Sequence, residues 1–218
     1  MLWPCYSWGA TPEERLLDLP CDSLVEGAEH VYHRAVSVQA STSVVFRWLC
    51  QLRGGTYVFV SGASRRLTPG LEELAAGQSV MDAFEIVSFQ HDEHLTVRTR
   101  PGSLEAKVYG EVAVSYGVIS GPGQGCRLLV RTRIRYPRIL GLVLRFLLPW
   151  LDLFMMRRQL LNLKRLSEHL QRDLLVESWK LSIARRRHDA TVRAARARAM
   201  RRRRRLQFRR PGSRTPPA

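Results

Sequence analysis

The chain has 218 residues, with 35 Lys+Arg against 19 Asp+Glu for a formal charge of +16, and 45% hydrophobic positions. That apolar content is enough for one cored domain with appendages, and it excludes a fibrous, collagenous or wholly disordered chain. The charge is concentrated: residues 183–218 carry 14 Arg, no Lys and one acid, Asp189, so the tail holds +13 and the other 182 residues +3.

Cys5, Cys21, Cys50 and Cys126 form no CxxC pair and no metal-ligand spacing, so they read as free thiols. The opening MLWPCYSWGATPEER lacks a basic n-region and an apolar h-region and does not read as a secretory signal. The greasiest stretch, 139–156, is interrupted by Arg145, Pro149 and Asp152. Each central charge would cost about 2.5–3.5 kcal/mol in a bilayer helix, so a buried helix is expected and a cytoplasmic location with it.

In chain order, residues 1–29 mix Pro, Cys, Trp and acids without periodicity and are expected to form an ordered but irregular lead-in. VYHRAVSVQ (31–39) is rich in β-branched and aromatic residues and predicts a strand. Ser41, Thr42 and Ser43 then offer N-caps to a short helix with Val44, Trp48 and Leu52 on one face. Residues 53–70 are turn-rich, with Tyr57 to Val60 as a short strand, and Leu71 to Ala76 predict two helical turns stopped by Gly77. Four strand candidates follow, 79–89, 94–100, 106–119 and 126–136, with separators short enough for hairpins.

Alternation puts Val108, Val112, Val114, Tyr116 and Val118 on one face with Gly110, and Leu128, Val130, Ile134 and Tyr136 with Cys126 and Thr132. The opposite faces carry Lys107, Glu111, Arg127, Arg131, Arg133 and Arg135 and are expected to be wet. The dry face needs a cover. Leu153, Met156, Leu160, Leu163 and Leu170 supply one as the apolar stripe of a long C-terminal helix, which Pro149 kinks or begins. The expected fold is α+β: a curved antiparallel sheet wrapped around that helix, with a gap between them where an apolar ligand can sit.

Over about 30–172 the sequence resembles the SRPBCC or START-like superfamily with the helix-grip fold, which includes polyketide cyclases, lipid-transfer domains and birch-pollen allergens. The resemblance rests on AVSVQASTSVVFRWLCQL after the first strand, LTPGLEELAAGQSVMDAFEIVSF leading into the sheet, and DLFMMRRQLLNLKRLSEHL in the closing helix. The last is similar to actinobacterial members described as cyclase/dehydrase-like. The resemblance implies a hydrophobic cavity and, for most members, binding rather than catalysis. Related members carry Tyr-Asp-Trp followed by Asp-Asn after the first helix; here the stretch is Tyr57-Val58-Phe59-Val60-Ser61-Gly62, without either acid.

Trp48, Tyr57, Phe84, Val112, Val114, Tyr116 and Met156 are the candidate ligand-binding residues, with the Tyr57 and Tyr116 hydroxyls able to orient a ligand. Catalysis would need an inward base or polar anchor, for which Asp82, Glu85 and His33 are available, and period-two parity assigns none of them inward. No catalytic residue, cofactor or metal site is assigned. His91-Asp92-Glu93-His94 reads as a solvated turn, and Gly121-Pro122-Gly123 precedes a strand and cannot start a phosphate-binding helix.

The arginine row Arg98, Arg100, Arg131, Arg133 and Arg135 reads as solubility and edge protection, with a basic patch as its functional alternative. The tail from 184 to 206 is Ala- and Arg-rich enough to extend the helix, with Pro211-Gly212 as its stop. Arg201, Arg202, Arg203, Arg204 and Arg205 are its candidate anion-binding residues, facing an anionic membrane surface or nucleic acid. The expected organisation is a lead-in (1–29), a ligand-binding domain (30–172) and an Arg-rich extension (173–218), helical or disordered. The expected function is non-catalytic binding of a small lipid- or polyketide-like molecule. The alternatives are a polyketide cyclase/dehydrase-like enzyme and an anionic-surface adaptor, the last placing the protein peripherally at a membrane.

Overall fold

The computed structural model describes residues 5–55, 66–121, 123, 125–137 and 141–207, with backbone alone at 141, 142, 144, 199 and 201–207. The element order is β1 (Ser7–Trp8), α1 (Pro12–Leu16), a 3₁₀ turn (Pro20–Ser23), β2 (His30–Val38), α2 (Thr42–Cys50) and a second 3₁₀ turn (Gln51–Gly54). It continues with β3 (Ser79–Val80), β4 (Phe84–Gln90), β5 (His94–Thr99), α3 (Leu104–Tyr109), β6 (Glu111–Ser120), β7 (Cys126–Arg135) and α4 (Gly141–Gln207). Among the described residues the strands form one sheet in the order β1-β2-β7-β6-β5-β4-β3, antiparallel except for the parallel pair β1 and β2. The expected α+β helix-grip architecture is present. The chain divides into two units, 1–171 and 172–218.

The core follows from the alternation. Tyr32, Val36 and Val38 on β2, Val112, Val114, Tyr116 and Val118 on β6, and Leu128, Val130 and Ile134 on β7 join one buried cluster. Leu160, Leu163 and Leu166 of α4 close that cluster, as do Val45, Trp48 and Leu49 of α2. Helix α2 starts where expected, with the Ser41 side chain accepting from the Val44 amide at 3.4 Å.

The structure corrects four expectations. The candidate strand 79–89 is a tight hairpin, because Met81 and Asp82 take positive φ (50° and 58°) between β3 and β4. Leu71 to Ala76 is not helical: Arg53 Nη1 donates to the Leu71 and Glu73 carbonyls, and Gln78 Oε1 accepts from the Ala75 amide. Those groups are thereby diverted from a helical ladder.

The third correction concerns the candidate strand 106–119. Ser103 caps α3, accepting from the Ala106 amide at 3.1 Å, and Gly110 at φ 91° ends the helix, so the strand begins only at Glu111. A Cβ at Gly110 would lie 2.1 Å from the Arg135 carbonyl oxygen. Val108 is therefore an exposed helical residue rather than a member of the inward row. Fourth, the stretch expected as a buried helix exposes Val143, Phe146, Leu147, Trp150 and Phe154 in the first turns of α4, which begins at Gly141 and runs through Pro149.

The lead-in also changes the meaning of the arginine row. Its β1 lengthens the sheet, and Pro20–Ser23 lies against the face expected to be wet. Small residues make room: Ala113 and Ser115 are fully buried, and Leu19 touches Gly117. The Cys21 amide donates to Ser115 Oγ at 2.9 Å. Arg131 is buried and paired with Asp22, which also accepts from Arg133 at 3.3 Å and from the Leu19 amide at 2.9 Å. Arg127 forks onto Glu14 at 2.7 and 2.8 Å, and the Thr11–Glu14 capping box anchors α1 there. Arg98 pairs with Glu85 and Arg135 with Glu111. The row is mostly a set of internal partners.

Asp22→Ala removes the acceptor for two arginines and a backbone amide, so it is expected to cost about 1–3 kcal/mol, read as a lower urea midpoint with unchanged slope. An unchanged midpoint would place the lead-in off the sheet.

Candidate functional site

Between the concave face of the sheet and α4, within the first unit, lies a cavity of about 330 Å³. Residues 152, 156 and 159 recur at helical spacing, so Asp152, Met156 and Gln159 project from one face of α4 into it, with Leu148, Leu151 and Met155 beside them. Val97, Val112, Val114, Tyr116, Thr132 and Ile134 form its floor, and Phe84 and Met81 one side. Tyr109, Leu151 and Met155 line it and are also 46%, 49% and 37% exposed, which marks the mouth.

Of the candidate ligand-binding residues, Phe84, Val112, Val114, Tyr116 and Met156 line this cavity. Trp48 does not; it is fully buried in the core formed with α2. Tyr57 lies outside the described residues. Trp8 packs partly buried against the core, with the Arg157 guanidinium over its ring at 5.5 Å.

The three acid–base candidates lie elsewhere. Asp82 is exposed in the β3–β4 turn, and Glu85 is held by Arg98 at 2.8 Å. His33 faces the lead-in side opposite Arg131, where burial first and then Arg131 push its pKa down to about 4. The His91 ring packs on Phe46 and Phe89, and His94 bonds Ser88 Oγ at 3.0 Å. Among the described residues no group of three His, Cys, Asp or Glu is placed to hold a metal. All four cysteines are free and buried, and burial pushes the Cys50 thiol up to about 12.

Two carboxylates, Glu105 and Asp152, line the cavity, and Asp152 is bonded at 2.8 Å to Arg34 of β2. The Arg34 side chain is fully buried; it also donates to the Cys5 carbonyl at 2.6 Å, and its guanidinium lies 5.3 Å from the Tyr32 ring centroid. Burial raises the Asp152 pKa to about 6 and outweighs the opposing pull of Arg34. Beyond Arg34 a chain of hydrogen bonds runs from Tyr32 to Tyr136 (2.8 Å), to His30 (2.8 Å) and to Tyr6 (3.1 Å). The Tyr116 hydroxyl donates to Gln159 Oε1 at 3.3 Å.

Sequence reasoning missed Arg34, Thr132 as a cavity residue, Asp152 and Gln159. Two signals were legible. Arg34 has the same parity as Tyr32, Val36 and Val38, and Asp152 is an acid inside an otherwise apolar helical run. A charge at an inward position asks for a partner.

No family model matches the chain, and no curated protein matches it in sequence. Among solved structures it is similar to the Zhui aromatase/cyclase from Streptomyces, at 14% identity and TM-score 0.45 over 64% of this chain and 94% of that one. A truncated norcoclaurine synthase from Thalictrum flavum matches at 12% identity and TM-score 0.45, over 62% of this chain and 91% of that one. A di-domain aromatase/cyclase of the steffimycin pathway matches at 9% and 0.43, over 66% and 51%. These neighbours belong to the helix-grip superfamily that the sequence resembles.

The Asp152 carboxyl is expected to titrate near 6 by carbonyl-carbon NMR, and higher still in Arg34→Met, which removes the opposing charge. Its folded pKa exceeds the unfolded value of about 3.9, so its contribution to stability is full below about pH 4 and lost as pH rises through 6. Relative to Asp152→Asn, the native protein should therefore lose stability between those values in urea titrations. An equal profile for both proteins would contradict the assignment.

Proposed function

We propose that the first unit binds a small apolar molecule in the cavity beneath α4 without transforming it. The observation that carries this reading is the cavity itself: about 330 Å³, lined mainly by aliphatic, Met and aromatic side chains with a few polar groups, and open at one side. Ligand pockets have that size and composition, whereas a cavity left only by imperfect packing is smaller. A lipid- or polyketide-like molecule fits that chemistry. Val114→Phe fills the floor of the cavity and is expected to lower affinity about tenfold or more without lowering the thermal midpoint. Native mass spectrometry of the purified protein before and after denaturation supplies the ligand; a bound mass retained equally by Val114→Phe would overturn the assignment of the site.

The enzyme reading, a cyclase/dehydrase-like reaction, has one observation in its favour: Asp152, a carboxyl held near neutrality in the cavity wall. Its bond to Arg34 serves equally well to pin α4 to β2, and this favours binding. Turnover of a polyketide-like substrate that Asp152→Asn abolishes, with binding retained, would reverse that order.

A second partner is proposed for the other unit. Described by itself, its helix exposes Leu174, Leu175, Trp179 and Leu181 together with Arg185, Arg186, Arg187, Arg193, Arg196 and Arg198, and the sequence adds Arg201 to Arg205 beyond them. Aliphatic and Trp side chains alongside cations favour an anionic lipid surface over nucleic acid, which no base-reading residues address. No described helix is long and apolar enough to cross a membrane. A cytoplasmic protein peripheral at the membrane is the corresponding location. With about 1 kcal/mol per basic residue near such a surface, Gln at Arg201, Arg202, Arg203, Arg204 and Arg205 should weaken binding to phosphatidylserine vesicles about a hundredfold or more. Vesicle binding that is unchanged, or insensitive to salt, would refute it.

A further inference from the structure

The start of α4 is apolar on more than its inward side. Phe146, Trp150 and Phe154 recur every fourth residue, with Val143 and Leu147 beside them, and all five are exposed by half or more. The opposite side of the same turns carries Leu148, Asp152 and Met156 over the cavity. A helix that is apolar all round is normally buried, in protein or in lipid, and among the described residues this outward face has no cover.

The face continues across the cavity mouth. Tyr109 of α3 shares that mouth with Leu151 and Met155 of α4. Leu104 and Val108, one helical turn apart on α3, are exposed as well. The mouth is therefore set within a patch of large apolar side chains from two elements, unlike the singly scattered apolar residues of an ordinary surface.

Charge decides the occupant. From 141 to 165, α4 has one acid, Asp152, and Arg34 holds it. The same stretch has Arg145, Arg157, Arg158, Lys164 and Arg165, of which Arg157 and Arg158 are exposed on the turn after Phe154. Exposed Lys107 stands between Leu104 and Val108 on α3. Phe, Trp and Leu bordered by Arg and Lys suit the headgroup boundary of an anionic bilayer, where rings reach the acyl chains and cations meet phosphates. A second copy of this chain on the same face would set cation against cation and plug the mouth. A fluid bilayer does neither, and it is a phase into which an apolar ligand leaving the mouth would partition.

We propose that this face docks on an anionic lipid surface with the mouth toward the bilayer, so that the cavity exchanges its apolar ligand directly with lipid. This rests on the binding reading of the cavity and adds the source of its ligand.

The test uses the full chain, vesicles of phosphatidylcholine and phosphatidylserine, and pyrene as the apolar probe. The variant combines Phe146→Glu with Phe154→Glu, at positions 74% and 66% exposed and outside the cavity lining. Its thermal midpoint and its pyrene affinity in vesicle-free buffer should match those of the native protein. In high salt, which screens the arginine tail, the native chain should keep part of its vesicle binding, and the double variant should bind about tenfold or more weakly. The variant should also take up pyrene from loaded vesicles about tenfold or more slowly. Brominated acyl chains should quench the native tryptophan fluorescence, and Trp150→Phe should reduce that quenching. Native-like vesicle binding and pyrene uptake by the double variant, or quenching unchanged by Trp150→Phe, would overturn the inference and leave the cavity reading intact. So would a native dimer in sedimentation that the double variant dissociates, since the face would then belong to a second copy. Pyrene that fails to bind the native protein in vesicle-free buffer would sink the cavity reading, and this inference with it.

Discussion

A guanidinium with no exposed surface cannot be left unpaired, and the rest of this structure is arranged around that constraint at Arg34. Its side chain points from the second strand of the sheet toward α4, where Asp152 meets it, and back toward the lead-in, where the Cys5 carbonyl does. One residue thus ties together a strand, a helix and an N-terminal segment that are far apart in sequence. Breaking such a buried pair by removing one partner is far more costly than never having built it. The pair therefore works as a positional device, setting where α4 lies over the sheet.

That position explains the cavity. From Gln159 onward α4 lies close to the sheet, with Leu160, Leu163 and Leu166 buried in the shared core. Nearer its start, Met155, Leu151 and Leu148 line open space. The helix is anchored at Asp152 within the second of these stretches, so the ion pair holds the cavity-lining part of α4 over the sheet. Tight packing from Leu160 onward closes one end of the pocket, and the other side stays open.

The central strands β6 and β7 are largely buried on both faces, unlike the usual antiparallel sheet with one wet side. The lead-in accomplishes this with few apolar residues. It contributes acids and carbonyls to arginines already present on β7: Asp22 to Arg131 and Arg133, Glu14 to Arg127. The near-neutral balance of the chain outside the arginine tail is thus spent internally, across the outer face of the sheet, and the excess positive charge is left to the tail.

Much of the architecture was legible in the residues. Ser41 announced α2, the alternation in β6 and β7 announced their inward rows, and the leucine spacing announced α4, because each depends on local propensity and a short period. The cavity residues Phe84, Val112, Val114, Tyr116 and Met156 could be named because inward parity is a local property too. Asp152 showed only as an acid in an apolar run, and Gln159 not at all, since their partners Arg34 and Tyr116 lie more than forty residues away along the chain. The helix at Leu104–Tyr109 and the β3–β4 hairpin escaped because backbone turns at Gly110, Met81 and Asp82 overrode β-rich composition. What the sequence determined by itself was which faces are apolar and where the strands and helices run, for these follow from periods of two and of three to four residues. What only the tertiary structure decided was which charges are internal and which apolar side chains stay exposed, because pairing and packing are properties of distance in space and not of distance along the chain.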